Sequence, residues 1–163
     1  MSIQNVRAYF AARGMEDRVL EFTVSSAPVE LAAQALGCEP SHIAKTLSFR
    51  LPDGPILIVA AGDAKVDNPK FKHFFGAKAK MRSFEEVEET IGHGVGGVCP
   101  FAIKEDVRVY LDESLRRFAT IYPACGSGAS AIGLTCAELE QHAQNFTGWV
   151  DLCKGWQTDG AAQ

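Results

Sequence analysis

At 163 residues the chain is the size of one domain, and its 47% apolar and 22% charged residues suit an ordinary packed core. A formal charge of −4 argues against a general electrostatic binder of nucleic acid, though not against a local basic face. No apolar run approaches the roughly 18 residues of a membrane span, and residues 1–10 lack the basic start and apolar stretch of a signal peptide. Cys38, Cys99, Cys125, Cys136 and Cys153 are odd in number and none are spaced C-x-x-C. That pattern points to reduced thiols in the cytoplasm rather than to a disulfide framework or a zinc site.

Ile3, Val6, Tyr9 and Phe10 recur at helical spacing, and Gly14 is a plausible stop. Residues 19–24 alternate weakly, as a strand does. Ser25-Ser26-Ala27-Pro28 then opens a helix, with a Ser cap and a Pro in the first turn. Leu31, Ala32, Ala35 and Leu36 are the expected buried face, and Gly37 is the stop. Residues 41–45 lead into an alternating strand over 46–51. Pro52-Asp53-Gly54-Pro55 reads as a turn, and the continuous apolar run 56–61 as a central strand paired with 46–51. Asn68-Pro69 opens a short helix through Phe75. Ser83-Phe84-Glu85-Glu86 matches a capping box for a helix to Ile91.

The segment Gly92 to Phe101 holds five Gly or Pro residues with apolar residues between them. It is neither a regular helix nor a central strand. Glycines let backbone N–H groups approach a phosphate or a developing oxyanion with no Cβ in the way. A tight turn carrying a core strand reads the same way. Strands are expected at 107–111, 118–122 and 131–134, with a second Gly-rich turn at Gly126-Ser127-Gly128-Ala129-Ser130. Thr135-Cys136-Ala137-Glu138 is another capping-box match, for a helix to Gln144, and 146–150 reads as a last strand. The whole predicts a single α+β (mixed α/β) domain over residues 1–156. A mixed, mostly antiparallel sheet or partly closed barrel carries the surrounding helices. A disordered tail is expected over 157–163.

Several residues are candidates for chemistry. Lys45, between an apolar helical segment and an apolar strand, is either a surface snorkeller or an aimed cation. Residues 65–82 hold six Lys or Arg and one acid, Asp67. This run is either a phosphate-facing patch or a solvated helix face. Cys99 and His93 suggest a Cys–His nucleophile without a third orienting group, and Cys125 invites the same idea. His73 and His142 have no metal-like partners, so no metal site is expected.

Three stretches together resemble the YbaK/ProX family of aminoacyl-tRNA deacylases. They are Ile43-Ala44-Lys45-Thr46-Leu47, then Gly96-Gly97-Val98-Cys99-Pro100-Phe101, then Tyr122-Pro123-Ala124-Cys125-Gly126-Ser127-Gly128-Ala129-Ser130. The resemblance covers about residues 2–153, and the domain-sized chain is similar to the free-standing members rather than to the form inserted in bacterial prolyl-tRNA synthetases. It implies hydrolysis of the ester joining a wrong amino acid to the 3′ end of tRNA, chiefly proline tRNA, with no metal and no cofactor. In that reading Lys45 holds the phosphate end of the terminal adenosine, and Gly96 and Gly97 position the ester carbonyl. The neighbouring ribose 2′-hydroxyl helps to activate water. Val98, Cys99, Pro100, Phe101, Gly126, Ser127, Gly128 and Ser130 would line the substrate site. Lys65, Lys70, Lys72 and Lys80 would face the tRNA.

The expected partners are the acceptor 3′ end of aminoacyl-tRNA and prolyl-tRNA synthetase, with no membrane and the oligomeric state open. Two departures matter. The cysteine-removing subgroup often carries Gly-Gly-Lys-Arg-Gly where this chain has Gly126 to Ser130, so a small residue such as alanine is the expected aminoacyl group and cysteine the alternative. Position 99 is often Ser in relatives, which argues that Cys99 is no essential nucleophile. The rivals are a Cys99-dependent hydrolase and a non-catalytic tRNA- or synthetase-binding module of the same fold.

Overall fold

The computed structural model describes residues 2–22, 29–81, 84–94 and 96–157, and of 84 and 85 it describes only the backbone. The helices are α1 (Ser2–Ala11), α2 (Val29–Leu36), α3 (Asn68–Phe75), α4 (Phe84–Ile91) and α5 (Cys136–His142). The first strands are β1 (Val19–Glu21), β2 (Ile43–Leu51), β3 (Gly54–Ala61) and β4 (Lys65–Val66). The rest are β5 (Arg108–Asp112), β6 (Tyr122–Pro123), β7 (Ser130–Ile132), β8 (Phe146–Val150) and β9 (Cys153–Lys154).

The organising element is a five-stranded sheet in the order β6-β2-β3-β5-β8. Strand β3 lies at its centre because residues 56–61 carry no polar side chain, and all six are fully buried. Alternation sends Leu57, Val59 and Ala61 into the larger core with Val6 and Phe10 of α1 and Leu139 of α5. Ile56 and Ile58 face the smaller core with Phe49, Phe71 of α3 and Tyr110. Each large side chain so buried contributes about 1.5–3 kcal/mol. Phe10 and Phe101 meet edge to face at 4.7 Å, which adds about 0.5–1.5 kcal/mol. This joins the first helix to the glycine loop.

The mixed α/β domain class holds, and the β2–β3 hairpin pairs antiparallel. In the central sheet, however, the other three adjacencies, β2–β6, β3–β5 and β5–β8, are parallel. Antiparallel pairing otherwise belongs to the small sheets β1–β7 and β4–β9. The short β4 and β9 carry no alternation that a sequence reading could detect.

Other expectations shift. Lys45 lies inside β2, not ahead of it, because pairing with β3 runs from Ala44 to Leu51. The strand expected at 118–122 shrinks to the start of a two-residue β6. Ahead of it lies a 3-10 helix over Glu113–Arg117, capped by the Asp112 carboxylate, which accepts the Ser114 N–H at 2.9 Å. Ile121 keeps only an isolated bridge to Leu134. The capping box at Thr135 is present with both reciprocal bonds, but α5 ends at His142, short of Gln144. Asp67 caps α3 through the Lys70 N–H. The helix start at 25–28, the end of the strand at 23–24, the cap at Ser83 and the tail from 158 lie outside the described residues.

Helix α2 departs most from expectation. Ala33 is its buried residue, whereas Leu31 is 45% exposed. Val29, Ala32 and Leu36, spaced for one helical face, line a cavity instead of the core. The helical periodicity is real; the face it marks belongs to the site.

Candidate active site

Among the described residues, strand β2 is paired on both sides only at its ends. Beside Ile43 and Ala44 runs β6, and at the far end Phe49 bridges Met81 while the Arg50 N–H donates to the Lys80 carbonyl at 2.8 Å. The stretch between, residues 45–48, forms one wall of a pocket of about 290 Å³. Gly96 and Val98 of the first glycine loop and Ser127, Gly128 and Ser130 of the second also line it. Val29, Ala32 and Leu36 of α2, with Met81 and Val87, complete the apolar lining. The volume is small by the standard of ligand sites, which run about 300–1,000 Å³.

Lys45 is the one cation in this wall among the described residues. Its ammonium donates to the Ala64 carbonyl and, at 3.5 Å, to the Gly62 carbonyl. An ammonium has three N–H groups, so among the described residues one remains for a ligand. Burial holds its pKa below the usual lysine value, while Cys153 and Asp63 push the other way. Lys45 is therefore a placed, half-buried cation rather than a snorkelling one.

The two glycine turns touch backbone to backbone. A Cβ on Gly97 would sit 2.4 Å from the Gly126 carbonyl carbon, and one on Gly126 would sit 2.6 Å from the Ser2 carbonyl oxygen. Only glycine allows the turns and the start of α1 to stack this closely. Gly126 also has φ +97°, in the left-handed region. The second turn is stiffened by Ser130, whose hydroxyl accepts from the Cys125 and Ser127 N–H groups and donates to the Ser127 carbonyl.

Two polar groups escape a sequence reading. Thr46 Oγ1 and Ser48 Oγ are buried in the pocket wall and have no hydrogen-bond partner among the described residues. Residues i and i+2 of a strand share a face, so both hydroxyls belong to one surface. A Thr and a Ser alternating with apolar residues are the available signal, but such a pattern reads equally as a solvated sheet face.

The expected site residues divide into groups. Lys45, Gly96, Val98, Ser127, Gly128 and Ser130 come together around the pocket. Gly97 and Gly126 lie behind, where the turns meet. Cys99, Pro100 and Phe101 are buried on the core side of the loop, with Phe101 against Tyr9 and Phe10. Their side chains leave the pocket wall to Gly96 and Val98.

The Cys–His idea meets a clear obstacle. His93 Nε2 lies 2.6 Å from the Phe101 carbonyl oxygen, an acceptor only, so this nitrogen carries the proton. The same nitrogen is the one facing Cys99 Sγ, at 3.5 Å, so it cannot deprotonate the thiol. Burial pushes the Cys99 thiol up to about 12 and holds His93 neutral. Cys125 is fully buried, and its thiol pKa is raised as well.

The lysines of the basic run have different surroundings. Lys65 pairs across β4–β9 with Lys154, and its charge bears on Lys45. Lys70 is tied to Asp151 at 3.1 Å and to the Cys153 carbonyl. Lys72 is exposed on the last turn of α3, and Lys80 is exposed beside Met81 of the pocket lining. Among the described residues no three His, Cys, Asp or Glu side chains group as metal ligands, and no helix is long and apolar enough to cross a membrane.

The profile of the aminoacyl-tRNA editing domain matches residues 24–141, and the chain belongs to that family. It is similar to the uncharacterized protein YwhH of Bacillus subtilis (strain 168), at 52% identity over 96% of this chain and all of that one. It is 30% identical to EbsC of Enterococcus faecalis (strain ATCC 700802 / V583), a proposed Cys-tRNA(Pro)/Cys-tRNA(Cys) deacylase, over 64% of this chain and 65% of that one. Among solved structures, a proposed trans-editing enzyme for prolyl-tRNA synthetase superposes with a TM-score of 0.85 at 29% identity, covering 94% of this chain and 98% of that one. Editing an aminoacyl-tRNA means hydrolysing its ester, and the chain is a hydrolase of that kind.

Proposed function

We propose that the chain hydrolyses the ester of a small amino acid wrongly joined to the 3′ end of tRNA, with alanine on proline tRNA as the leading substrate. The observation that carries this is a pocket whose lining joins one placed cation among the described residues, Lys45, with residues of both glycine turns. The free N–H of Lys45 takes a phosphate oxygen of the terminal nucleotide. Backbone N–H groups of the first glycine loop at Gly96 and Val98, which line the pocket, take the ester carbonyl oxygen as charge develops on it; the Gly97 N–H, expected from the sequence to share this role, is instead donated to the Gly94 carbonyl at 3.0 Å. Water, assisted by the ribose 2′-hydroxyl, adds to the carbonyl carbon; the ester C–O bond then breaks and the 3′-hydroxyl leaves with a proton. This route needs no protein nucleophile, consistent with the buried, protonated thiol of Cys99.

The pocket also supports selection by size. In this reading the apolar side chains of Val98, Val87 and Leu47 in the pocket lining exclude the proline ring by overlap. One methylene gives only roughly 10- to 200-fold discrimination in an apolar pocket, so several small aminoacyl groups should be accepted. The similarity to EbsC favours cysteine as the second reading. Lys65, Lys72 and Lys80, with a lesser part for the ion-paired Lys70, are the proposed tRNA contacts. Prolyl-tRNA synthetase is the proposed partner, in keeping with the trans-editing relative, and five free thiols fit a cytoplasmic setting. The test is kcat/KM on alanyl-, seryl-, cysteinyl- and prolyl-tRNA(Pro). Fast alanyl and slow prolyl turnover is expected. Prolyl-tRNA cleaved as fast as the others contradicts steric exclusion and the editing role with it.

A further inference from the structure

The hydrogen bonds around Lys45 extend well beyond the pocket. Its ammonium rests on two carbonyls of one turn, those of Gly62 and Ala64. A lysine side chain has four rotatable bonds and much freedom to lose, so its aim is only as firm as that turn. The turn is held from three directions. The Ala61 N–H donates to the Ser114 hydroxyl at 3.1 Å, and both groups are buried. Ser114 is itself fixed by Asp112, which is fully buried and accepts from the N–H groups of Ser114 and Leu152, each at 2.9 Å. On the outside, both terminal nitrogens of Arg117 donate to the Asp63 carboxylate, at 2.6 and 2.9 Å. The Nε of the same guanidinium donates to the Ser114 carbonyl at 2.9 Å, and its face lies over Phe118 and Trp156. On the third side, a Cβ on Gly62 would fall 2.0 Å from the Pro40 carbonyl oxygen, so the turn cannot back away.

We infer that the Gly62–Ala64 turn is a carbonyl clamp for the Lys45 ammonium, and that Asp63, Arg117 and Ser114 are positioning residues that hold it. The inference rests on the role proposed for Lys45. It adds residues that do not line the pocket and that no motif marked. A two-point Arg–carboxylate pair fixes direction as well as distance. Here it joins the turn that carries the clamp to the 3-10 helix over Glu113–Arg117. The same clamp limits Lys45 to one free N–H, so it orients the substrate from a single point. The charged and titratable groups facing Lys45 are Asp63 and Lys65 from the turn and β4, Glu30 from α2 and Cys153 from β9.

The experiment compares wild type with Asp63→Asn, Arg117→Met and the double variant on alanyl-tRNA(Pro). Loss of aim should lower kcat about 10- to 100-fold with little change in KM, as a displacement near 1 Å does. The double variant should be no worse than the poorer single, because the two side chains act as one unit. Asp63→Asn removes a negative charge facing Lys45, so the alkaline limb of the pH profile should move to lower pH; Arg117→Met should move it the opposite way. Both should still lower kcat, which separates aim from charge. A second readout needs no turnover. With 15N-labelled lysine, a slowly exchanging ammonium resonance absent from Lys45→Ala should mark the clamp and should vanish in both single variants. Wild-type kcat in both variants, a loss confined to KM, or an ammonium resonance that survives both overturns this inference alone. A wild type that cleaves no aminoacyl ester overturns the functional reading, and this one with it.

Discussion

Lys45 and Cys99 stand on opposite sides of the same glycine loop, and each has the side chain of a possible catalytic group. Their surroundings differ in kind. Lys45 is half-buried at the pocket wall, keeps its charge by resting on two carbonyls, and has a donor left over. Cys99 is fully buried, its thiol is pushed up to about 12, and its histidine neighbour has already given its proton-bearing nitrogen to a carbonyl. What separates them is access and spare hydrogen-bonding capacity, not residue type. The loop itself makes the division, because Gly96 and Val98 turn toward the pocket while Cys99 and Phe101 turn toward the core.

The comparison is most sharply tested at Lys45. Lys45→Ala should cost several powers of ten in kcat/KM, about the scale of lost positioning, with the circular dichroism spectrum unchanged. Near-native turnover by the folded variant would falsify the assignment. Wild-type activity should be full while Lys45 is protonated and should fall as pH rises through its pKa, which burial sets below the usual lysine value. A rate that stays flat far into the alkaline range contradicts this.

Gly97→Ala should come next. Its new methyl would meet the Gly126 backbone at 2.4 Å, and backbone cannot swing aside. The turns must separate, and kcat/KM should drop about 100-fold with a lower Tm. An unchanged rate means the stacked turns do not shape the site.

Removing the pocket hydroxyls as Thr46→Val and Ser48→Ala should have a smaller, selective effect. A buried hydroxyl without a partner costs about 1–3 kcal/mol, so these changes should hold or raise Tm. The preference for seryl- over alanyl-tRNA should fall roughly 5- to 100-fold if the hydroxyls meet a polar substrate side chain, the range of that same energy. Equal losses on both substrates would instead assign the hydroxyls to the shared part of the ester.

Charge on the outer face should matter less. Replacing Lys65, Lys72 and Lys80 by Ala should raise KM and reduce the log–log salt slope by about 0.7–0.9 for each phosphate no longer neutralised. A slope identical to wild type makes them a solvated face. Last, Cys99→Ser should leave activity within about a factor of three, since a serine hydroxyl can still donate to the Phe101 carbonyl at a cost near that of one ordinary hydrogen bond. A dead but folded serine variant, or an acyl-enzyme trapped by thiol alkylation, would return the nucleophile to Cys99.

Much was legible from local order. The hairpin over 46–61, the fully buried β3, the helix from Asn68 to Phe75, the Thr135 capping box and the two glycine turns each depend on neighbours within a few residues, which a sequence displays directly. Lys45 and the glycines were legible through their resemblance to a family. Parallel pairing was not, because the partners Ile56–Val59 and Arg108–Leu111 lie about fifty residues apart and nothing local records their register. The same is true of the pocket. The apolar stripe of α2 does not say whether it meets a core or a cavity, and Thr46 and Ser48 do not say whether their face meets water or a wall. Only the fold, by leaving part of the β2 edge uncovered between β6 and Met81, decides those questions. The clamp around Lys45 is tertiary in the same sense. Gly62, Ala64, Ser114 and Arg117 come together because β3 and β5 lie side by side in the sheet, and so the turn after one meets the 3-10 helix after the other.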